Sequence, residues 1–372
     1  MRENIIVIGG YGHVGQKICR QLGELYPGKV FAAGRSMERA EKFCGSTAGK
    51  VRPMQLDIGK EVEPALLEKT KLIVMCLDQT ELDFVRLCME QGIHYVDISA
   101  DDRFLSRVES LGGLASARQT TAVLSTGLAP GLTNLLAKYA HARLDETDAI
   151  EISVMLGLGD EHGKAAMEWM LDHLGTRFEV LHEGKRMQVA SFSDGKVVDF
   201  GTGVGRKKAY RFNFSDQHAI PRTLGIPSVL TRLCFDAAWG TRLLRWIRAS
   251  GLYHGLRTAL VRSAVIKLIS GMRLPFGAEI YAVKIEAYGK QGGEKAILEC
   301  SIHGDREAEI TGKVAAAVAA ALYVSRFPHG VFHIEQLFEL EDVLPSIRES
   351  VTMEARLNGK PVPWAPAPIN PS

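Results

Sequence analysis

Asn4-Ile5-Ile6-Val7-Ile8-Gly9-Gly10-Tyr11-Gly12-His13-Val14-Gly15 decides the fold. Four successive apolar residues, Ile5 to Ile8, are what a strand buried on both faces requires, and the glycine-rich break ends that strand. Val14, Ile18, Leu22 and Leu25 then recur at helical spacing, Pro27-Gly28 stops the helix, and Lys29-Val30-Phe31-Ala32-Ala33 reads as a second strand. Gly10, Gly12 and Gly15 fit G-x-G-x-x-G. In that motif the first glycine makes the tight turn, the second admits a pyrophosphate against the backbone, and the third lets helix and strand pack closely. The helix amides then face the phosphates. With 37 glycines in 372 residues, about 0.4 such matches are expected by chance. The position of this one, at the first strand-to-helix turn of an N-terminal βαβ unit, sets it apart from a glycine turn without a ligand.

The end of the second strand chooses between cofactors. An NAD site wants a carboxylate there for the ribose hydroxyls, but this chain has Ala33-Gly34-Arg35-Ser36 and no acid before Glu38. Arg35, with Ser36 beside it, suits the 2′-phosphate of NADP, which a carboxylate would repel. The other reading of Arg35 is a solvated residue opening the next helix.

At 372 residues the chain is long enough for two domains, and its 46 % hydrophobic and 24 % charged content is that of an ordinary globular protein. A net charge of +2 gives no reason to expect nucleic acid. No signal peptide is expected, since the first buried strand starts three residues after Met1. The six cysteines, Cys19, Cys44, Cys76, Cys88, Cys234 and Cys300, are scattered, with no C-x-x-C and no His at zinc-ligand spacing. Reduced thiols in a cytoplasmic protein without a metal site are the expectation.

Strands and helices keep alternating after Arg35, as in a doubly wound parallel sheet. Met37–Cys44 reads as a helix and 51–56 as a strand ending at Asp57-Ile58, where such a sheet places a loop against adenine; an N-cap or turn role for Asp57 stays open. Residues 72–76 form a fourth strand, with Cys76-Leu77-Asp78 at its carboxyl end, in the crevice where open α/β sheets hold ligands. A helix over 80–91, a strand over 94–98 leading into Ser99-Ala100-Asp101, and a sixth strand over 121–125 follow. The glycine- and proline-bearing Gly127-Leu128-Ala129-Pro130-Gly131-Leu132-Thr133-Asn134 suits a crossover between domains.

Beyond a helix reaching about Arg143 the pattern changes. A strand over 149–156, a helix over 163–174 and strand-like segments over 177–181, 186–190, 196–200 and 208–212 are joined by short polar turns, which imply antiparallel hairpins in a different sheet. From Ala237 to Ala278 there is no acid while seven Arg and Lys occur, with two helical patterns, the second near 256–269. Helices packed on the sheet with solvated arginines are expected there; a basic face on an anionic membrane is the alternative. Residues 278–289 and 294–304 pair through Gly292-Gly293. An alanine-rich helix from about Asp305 to Ser325 is expected to pack back on the first domain, and the proline-rich end from 358 to 372 to be an extended tail.

Four stretches together resemble the saccharopine dehydrogenase/saccharopine reductase family of NAD(P)-dependent oxidoreductases: Val7 to Gly15, His94-Tyr95-Val96-Asp97-Ile98-Ser99, Gly127-Leu128-Ala129-Pro130-Gly131, and Gly330-Val331-Phe332-His333-Ile334-Glu335. The resemblance implies an α/β chain. An N-terminal Rossmann domain over 1–130 would be completed by about 305–350, around a mixed-sheet α+β domain over 131–304 for substrate and dimerisation. It implies hydride transfer between nicotinamide and an imine carbon of an amino-acid-derived small molecule, in a homodimer. By that resemblance Tyr11, Gly12, His13 and Val14 would bind pyrophosphate, Arg35 and Ser36 the 2′-phosphate, and Cys76 and Leu77 the nicotinamide side. Asp97, Ser99 and the loop Gly127, Pro130, Gly131 and Asn134 would face the reacting carbon. The saccharopine-forming enzymes' carboxylate-binding set is not recognisable here, so saccharopine is not the expected substrate.

For the proton, Asp97 at a strand's carboxyl end is one candidate, its other reading being a cap on the next helix. Gly159-Asp160-Glu161-His162-Gly163-Lys164 is a second, with His162 able to exchange a proton near neutral pH and Lys164 to hold a carboxylate. In Gly201-Thr202-Gly203-Val204-Gly205-Arg206-Lys207-Lys208, glycine amides and three cations either grip an anion or form a hairpin tip. A carbonyl reductase, a non-catalytic NADP sensor and a membrane-surface protein remain as alternative functions.

Overall fold

Strand β1 (Asn4–Ile8) lies between β2 (Val30–Gly34) and β4 (Thr70–Met75), so both of its faces are covered and four consecutive apolar side chains are all buried. These elements belong to a computed structural model that describes residues 2–160, 164–258 and 277–364. The other parallel strands are β3 (Val51–Gln55), β5 (His94–Asp97) and β6 (Thr121–Leu124). Helices α1 (His13–Leu25), α2 (Met37–Cys44), α3 (Asp83–Glu90), α4 (Asp102–Glu109) and α5 (Gly112–Ala117) connect them. The sequence reading had left α4 and α5 unassigned. By contact the chain divides into two compact units, Met1–Leu132 with Ala308–Phe338 and Asp342–Ile347, and Thr133–Glu307 with Glu339–Glu341 and Arg348–Ser372.

The first unit holds the parallel sheet. Its core gathers Ile6, Ile8, Ile73, Met75, Tyr95, Phe104 and Leu105, each side chain contributing about 1.5–3 kcal/mol on burial. The alanine-rich helix, here Glu307–Val324, returns to this unit from Ala308 onward. Lys17 Nζ meets Glu309 Oε2 at 3.2 Å, and the Tyr323 hydroxyl donates to the Glu3 carbonyl at 2.9 Å. The return also supplies a strand the sequence had not revealed. Gly330–His333, the fifteenth strand in chain order, pairs parallel with β6 and gives the sheet the order β15-β6-β5-β4-β1-β2-β3. It covers what would have been the edge of β6, whose four residues are all buried.

In the second unit α6 (Leu132–His141) leads to β7 (Glu146–Leu156), and α7 (Lys164–Leu174) precedes β8 (Arg177–His182) and β9 (Lys185–Ala190). Then come β10 (Lys196–Asp199), β11 (Arg206–Arg211), α8 (Asp216–Leu224), β12 (Val229–Phe235), α9 (Ala238–Ser250), β13 (Ile280–Gln291), β14 (Glu294–Asp305), β16 (Val351–Leu357) and β17 (Lys360–Val362). The eight-stranded sheet runs β10-β11-β12-β7-β13-β14-β16-β17, and β8-β9 form a separate two-stranded sheet.

The expected antiparallel hairpins are present as β8-β9 and β10-β11, and β12, which the sequence reading passed over, joins β7 in parallel and makes the sheet mixed. A parallel neighbour needs a long crossover, and the whole stretch between β7 and β12, with the β8-β9 hairpin and α8, supplies it. The start of the tail, though extended, does belong to a regular element: Lys360–Val362 pairs with β16, where Pro361 is tolerated because β17 is the outermost strand. Residues 365–372 lie outside the described ones. Of the basic stretch only α9 is a regular helix among the described residues. Leu252–Arg257 is a 3₁₀ turn and 259–276 lie outside the description. Two of its arginines are packed rather than freely solvated. Arg245 donates to the Phe192 carbonyl at 3.0 Å and lies over the Tyr210 ring, and Arg248 lies over Tyr253. Among the described residues no helix is long and apolar enough to cross a membrane, and no group of three or more His, Cys, Asp or Glu could hold a metal ion.

Candidate cofactor and proton-transfer site

At the carboxyl end of β1 the chain turns on its own backbone. Gly9 N donates to the Ala33 carbonyl at 2.8 Å and Gly12 N to the Gly9 carbonyl at 2.8 Å, after which α1 begins at His13. A Cβ at Gly15 would lie 2.2 Å from the Gly9 oxygen, so α1 approaches the turn as closely as bare backbone allows. The first turn of α1 carries no acidic side chain, and no side chain caps it. Its amides are therefore left for an anion. His13 Nε2 is buried with no hydrogen-bond partner, a polar atom of the same turn that a bound group would satisfy.

Tyr11 leaves this turn toward the end of β2. Its ring lies against Gly34, and its hydroxyl accepts from Ser36 N at 2.9 Å. Ser36 caps α2, its Oγ accepting from Arg39 N at 3.3 Å. Arg39, which the sequence reading missed, places its guanidinium 5.0 Å from the Tyr11 ring centre. Arg35 is exposed, and its carbonyl accepts from Gln55 Nε2 at 3.1 Å. Arg35, Ser36 and Arg39 thus follow the end of β2, where an NAD site has a carboxylate. Asp57 Oδ1 accepts from Gly59 N at 3.1 Å, a turn role, and Ile58 packs on the core.

On the other side of β1, Cys76 N donates to the Ile8 carbonyl at 3.0 Å, and burial pushes the Cys76 thiol well up. Leu77 is exposed and lies beside Gly9, its Cδ2 2.9 Å from where a Cβ there would sit. Of the residues read as cofactor-binding, Gly10 to Gly15, Arg35, Ser36, Cys76 and Leu77 follow the carboxyl ends of β1, β2 and β4, and Asp57 and Ile58 that of β3.

Asp97 ends β5, and its side chain is fully buried. Oδ2 accepts from the Tyr95 hydroxyl at 2.6 Å and Oδ1 from Ser99 N at 2.7 Å, while Gln79 Nε2 donates to the Tyr95 oxygen at 2.8 Å. Burial pushes the Asp97 carboxyl up to about 7 against the two hydrogen bonds that lower it, and Asp78 adds to the rise. The capping alternative is overturned: α4 is capped by Asp101, whose Oδ1 accepts from Arg103 N at 2.9 Å. Tyr95 sits two residues before Asp97 on the same strand, and strand alternation could have linked the two. Gln79 carried no such signal.

Ser99 is buried, with its Oγ accepting from Asp101 N at 3.4 Å. The Gly127 to Gly131 loop closes on itself, Gly127 N donating to the Pro130 carbonyl at 2.9 Å and Leu132 N to the Gly127 carbonyl at 2.9 Å, with a cis Ala129-Pro130 bond. Gly131 has φ +137°, and a Cβ there would lie 2.1 Å from the Gly127 oxygen. Asn134 belongs to the second unit and is buried, its Oδ1 accepting from the Thr133 hydroxyl at 3.4 Å. Lys164 opens α7 in that unit, and His162 lies outside the described residues. Asp160 of the same stretch accepts from Glu307 N at 2.5 Å. The Gly201–Lys208 stretch is a hairpin tip: Gly201 N donates to Asp199 at 3.0 Å, Thr202 N to Glu354 at 2.8 Å, and Lys207 Nζ to the Asp236 carbonyl at 2.8 Å.

Strand order, the glycine turn and the uncapped amides of α1 define a dinucleotide-binding domain. Residues 5–125 match the family model described as the saccharopine dehydrogenase NADP binding domain. Apo saccharopine dehydrogenase (L-Glu forming) from Saccharomyces cerevisiae matches over 95% of this chain and 100% of its own, with a TM-score of 0.67 and 12% identity. The C. glutamicum DAP dehydrogenase in complex with DAP matches over 94% and 99% (TM-score 0.47, 14% identity). Amine dehydrogenase from Mycobacterium smegmatis matches over 91% and 97% (TM-score 0.45, 11% identity). Residues 5–125 are thus similar to that family's NADP-binding domain, and the fold of the chain as a whole is like that of the yeast enzyme.

Proposed function

We infer that this protein is an NADP(H)-dependent oxidoreductase acting at the CH–N carbon of an amino-acid-derived substrate. The observation that carries the reading is the glycine turn at the end of β1 with its uncapped α1 amides, two strands from Asp97, a buried carboxyl at the end of β5 that burial pushes up to about 7. A group with that affinity is half protonated at neutral pH and gives or takes a proton with little driving force either way. Asp97 has no exposed surface, so its proton would pass through the Tyr95 hydroxyl at 2.6 Å toward the half-buried Gln79, with the Tyr95 hydrogen bond reversing and the Gln79 amide turning its oxygen to accept. The nicotinamide, when bound, supplies the hydride chemistry. The amides of the Gly10 to Gly15 turn would hold the pyrophosphate, with His13 Nε2 beside them, and Arg35, Ser36 and Arg39 the 2′-phosphate. Leu77 would pack against the nicotinamide side and keep water from it. Saccharopine dehydrogenase from yeast forms L-glutamate, and C–N chemistry of that class is what we assign here. The second unit is assigned substrate selection and homodimer formation.

NADPH absorbance is followed while pairs of amino acids or diamines with 2-oxo acids and aldehydes are screened. Oxidation is expected with at least one pair. A protein that binds NADPH yet oxidises it with none is a sensor, and the reading falls. For the cofactor, Arg35→Asp is expected to weaken NADPH by about tenfold to a hundredfold in calorimetry and NADH by much less. An equal loss for both nucleotides would remove Arg35 from the 2′-phosphate site.

A further inference from the structure

Three neighbouring strand ends of the first sheet are joined by buried side chains that the cofactor site does not use. His333 ends β15 and caps the short helix Ile334–Leu337. Its ring accepts from the Gln336 amide, while its own amide donates to the Gln336 side chain at 2.9 Å. Ring Nε2 lies 2.8 Å from Glu109 Oε1 and Nδ1 lies 2.8 Å from Ser125 Oγ. An ionised carboxylate only accepts, so Nε2 carries the hydrogen, and Nδ1, the ring's one acceptor, is shared between the Gln336 amide and the Ser125 hydroxyl.

Ser125 follows β6 with φ +60°, a left-handed conformation that costs a non-glycine residue about 1 kcal/mol. The next residue, Thr126, donates to the Asp97 carbonyl from its amide at 3.2 Å and from its hydroxyl at 2.9 Å. Serine, imidazole and carboxylate in line are the parts of a hydrolytic triad. Here Ser125 has no exposed surface and His333 is 2 % exposed, so no substrate carbonyl reaches the hydroxyl. The array holds rather than attacks.

We propose that Glu109, His333 and Ser125 form a positioning relay that locks the left-handed turn after β6 and, through Thr126, fixes the end of β5 that carries the Asp97 carboxyl. The relay's value to turnover rests on the reading of Asp97 given above; the lock itself does not. The groups facing Asp97 are Tyr95, Ser99, Asp78 and Cys76, and those on the His333 ring are Glu109, Ser125 and Gln336. With the lock broken, the turn relaxes out of its left-handed state, Thr126 releases the Asp97 carbonyl, and water reaches the carboxyl.

Carbon-13 NMR of Asp-labelled protein reads this directly, with Asp97→Asn identifying the Asp97 signal. Ser125→Ala and His333→Phe are each expected to lower the Asp97 titration midpoint by about one pH unit. Ser125→Gly, which tolerates the left-handed backbone without the hydroxyl, is expected to lower it less and to stay folded should His333→Phe not fold. A midpoint unchanged in Ser125→Ala overturns the proposal, as does a larger shift in Ser125→Gly than in Ser125→Ala. Neither result touches the assigned reaction, which falls instead if Asp97→Asn turns over at the wild-type rate.

Discussion

Asp97→Asn lowers turnover by at least about a hundredfold while leaving the dissociation constant for NADPH within about twofold; this is the expected result for a group that holds the reaction's proton and touches none of the cofactor's phosphates. Asparagine keeps the shape and an oxygen for the Tyr95 hydroxyl or the Ser99 amide, but has no proton to exchange. Stopped-flow turnover with the active pair from the screen, alongside NADPH titration, checks both halves. A variant that keeps its rate places the proton elsewhere.

The same substitution changes how stability depends on pH. The Asp97 carboxyl is pushed up to about 7 in the folded protein, whereas an unfolded Asp titrates near its ordinary 3.8. The folded state therefore binds the proton more tightly, and between about pH 4 and 7 this residue makes stability fall as pH rises. Below that window the neutral carboxyl carries no penalty. Above it the ionised, buried carboxylate costs the fold on the order of a few kcal/mol. Denaturant melts of wild type and Asp97→Asn at pH 5 and pH 8 isolate the effect. The variant is expected to gain relative to wild type at the higher pH, and a constant difference between the two would show that Asp97 ionises without penalty.

Gly15→Ala is expected to abolish detectable NADPH binding. The added methyl would stand 2.2 Å from the Gly9 oxygen and 2.8 Å from Gly10 Cα, both backbone atoms of the turn, so the turn or α1 must move. Either movement displaces the amides that hold the pyrophosphate. Gly45→Ala, with nothing within 4 Å of the new methyl, is the matched control and should bind normally. Calorimetry on the two variants, with circular dichroism to follow the fold, decides the matter; near-normal binding by Gly15→Ala would separate the turn from the cofactor.

Much of the first unit was legible because its signals are local. Ile5 to Ile8, the glycine spacing and the helical recurrence from Val14 to Leu25 each express a constraint between residues close in sequence. The Met37–Cys44 helix came out with the same boundaries for the same reason. In the second unit the reading faltered where local signals are ambiguous. Short polar turns marked hairpins correctly at β8-β9 and β13-β14, yet gave no hint that β12 would join β7 in parallel across more than seventy residues. Arg39 was missed because its meaning lies in the Tyr11 ring beside it, and His333 because β15 reaches β6 only after the chain has built another unit.

By itself the sequence determined the strand-turn-helix that opens the chain, the absence of a carboxylate after β2, and Asp97's place at the end of its strand, since all three are matters of residue type and short spacing. Only the tertiary structure decided that burial pushes the Asp97 carboxyl well above its ordinary value, and that Ser125, His333 and Glu109 are joined by hydrogen bonds. Proton affinity is set by what surrounds a group in space and how much water is excluded, and those neighbours come from strands and returns far apart along the chain.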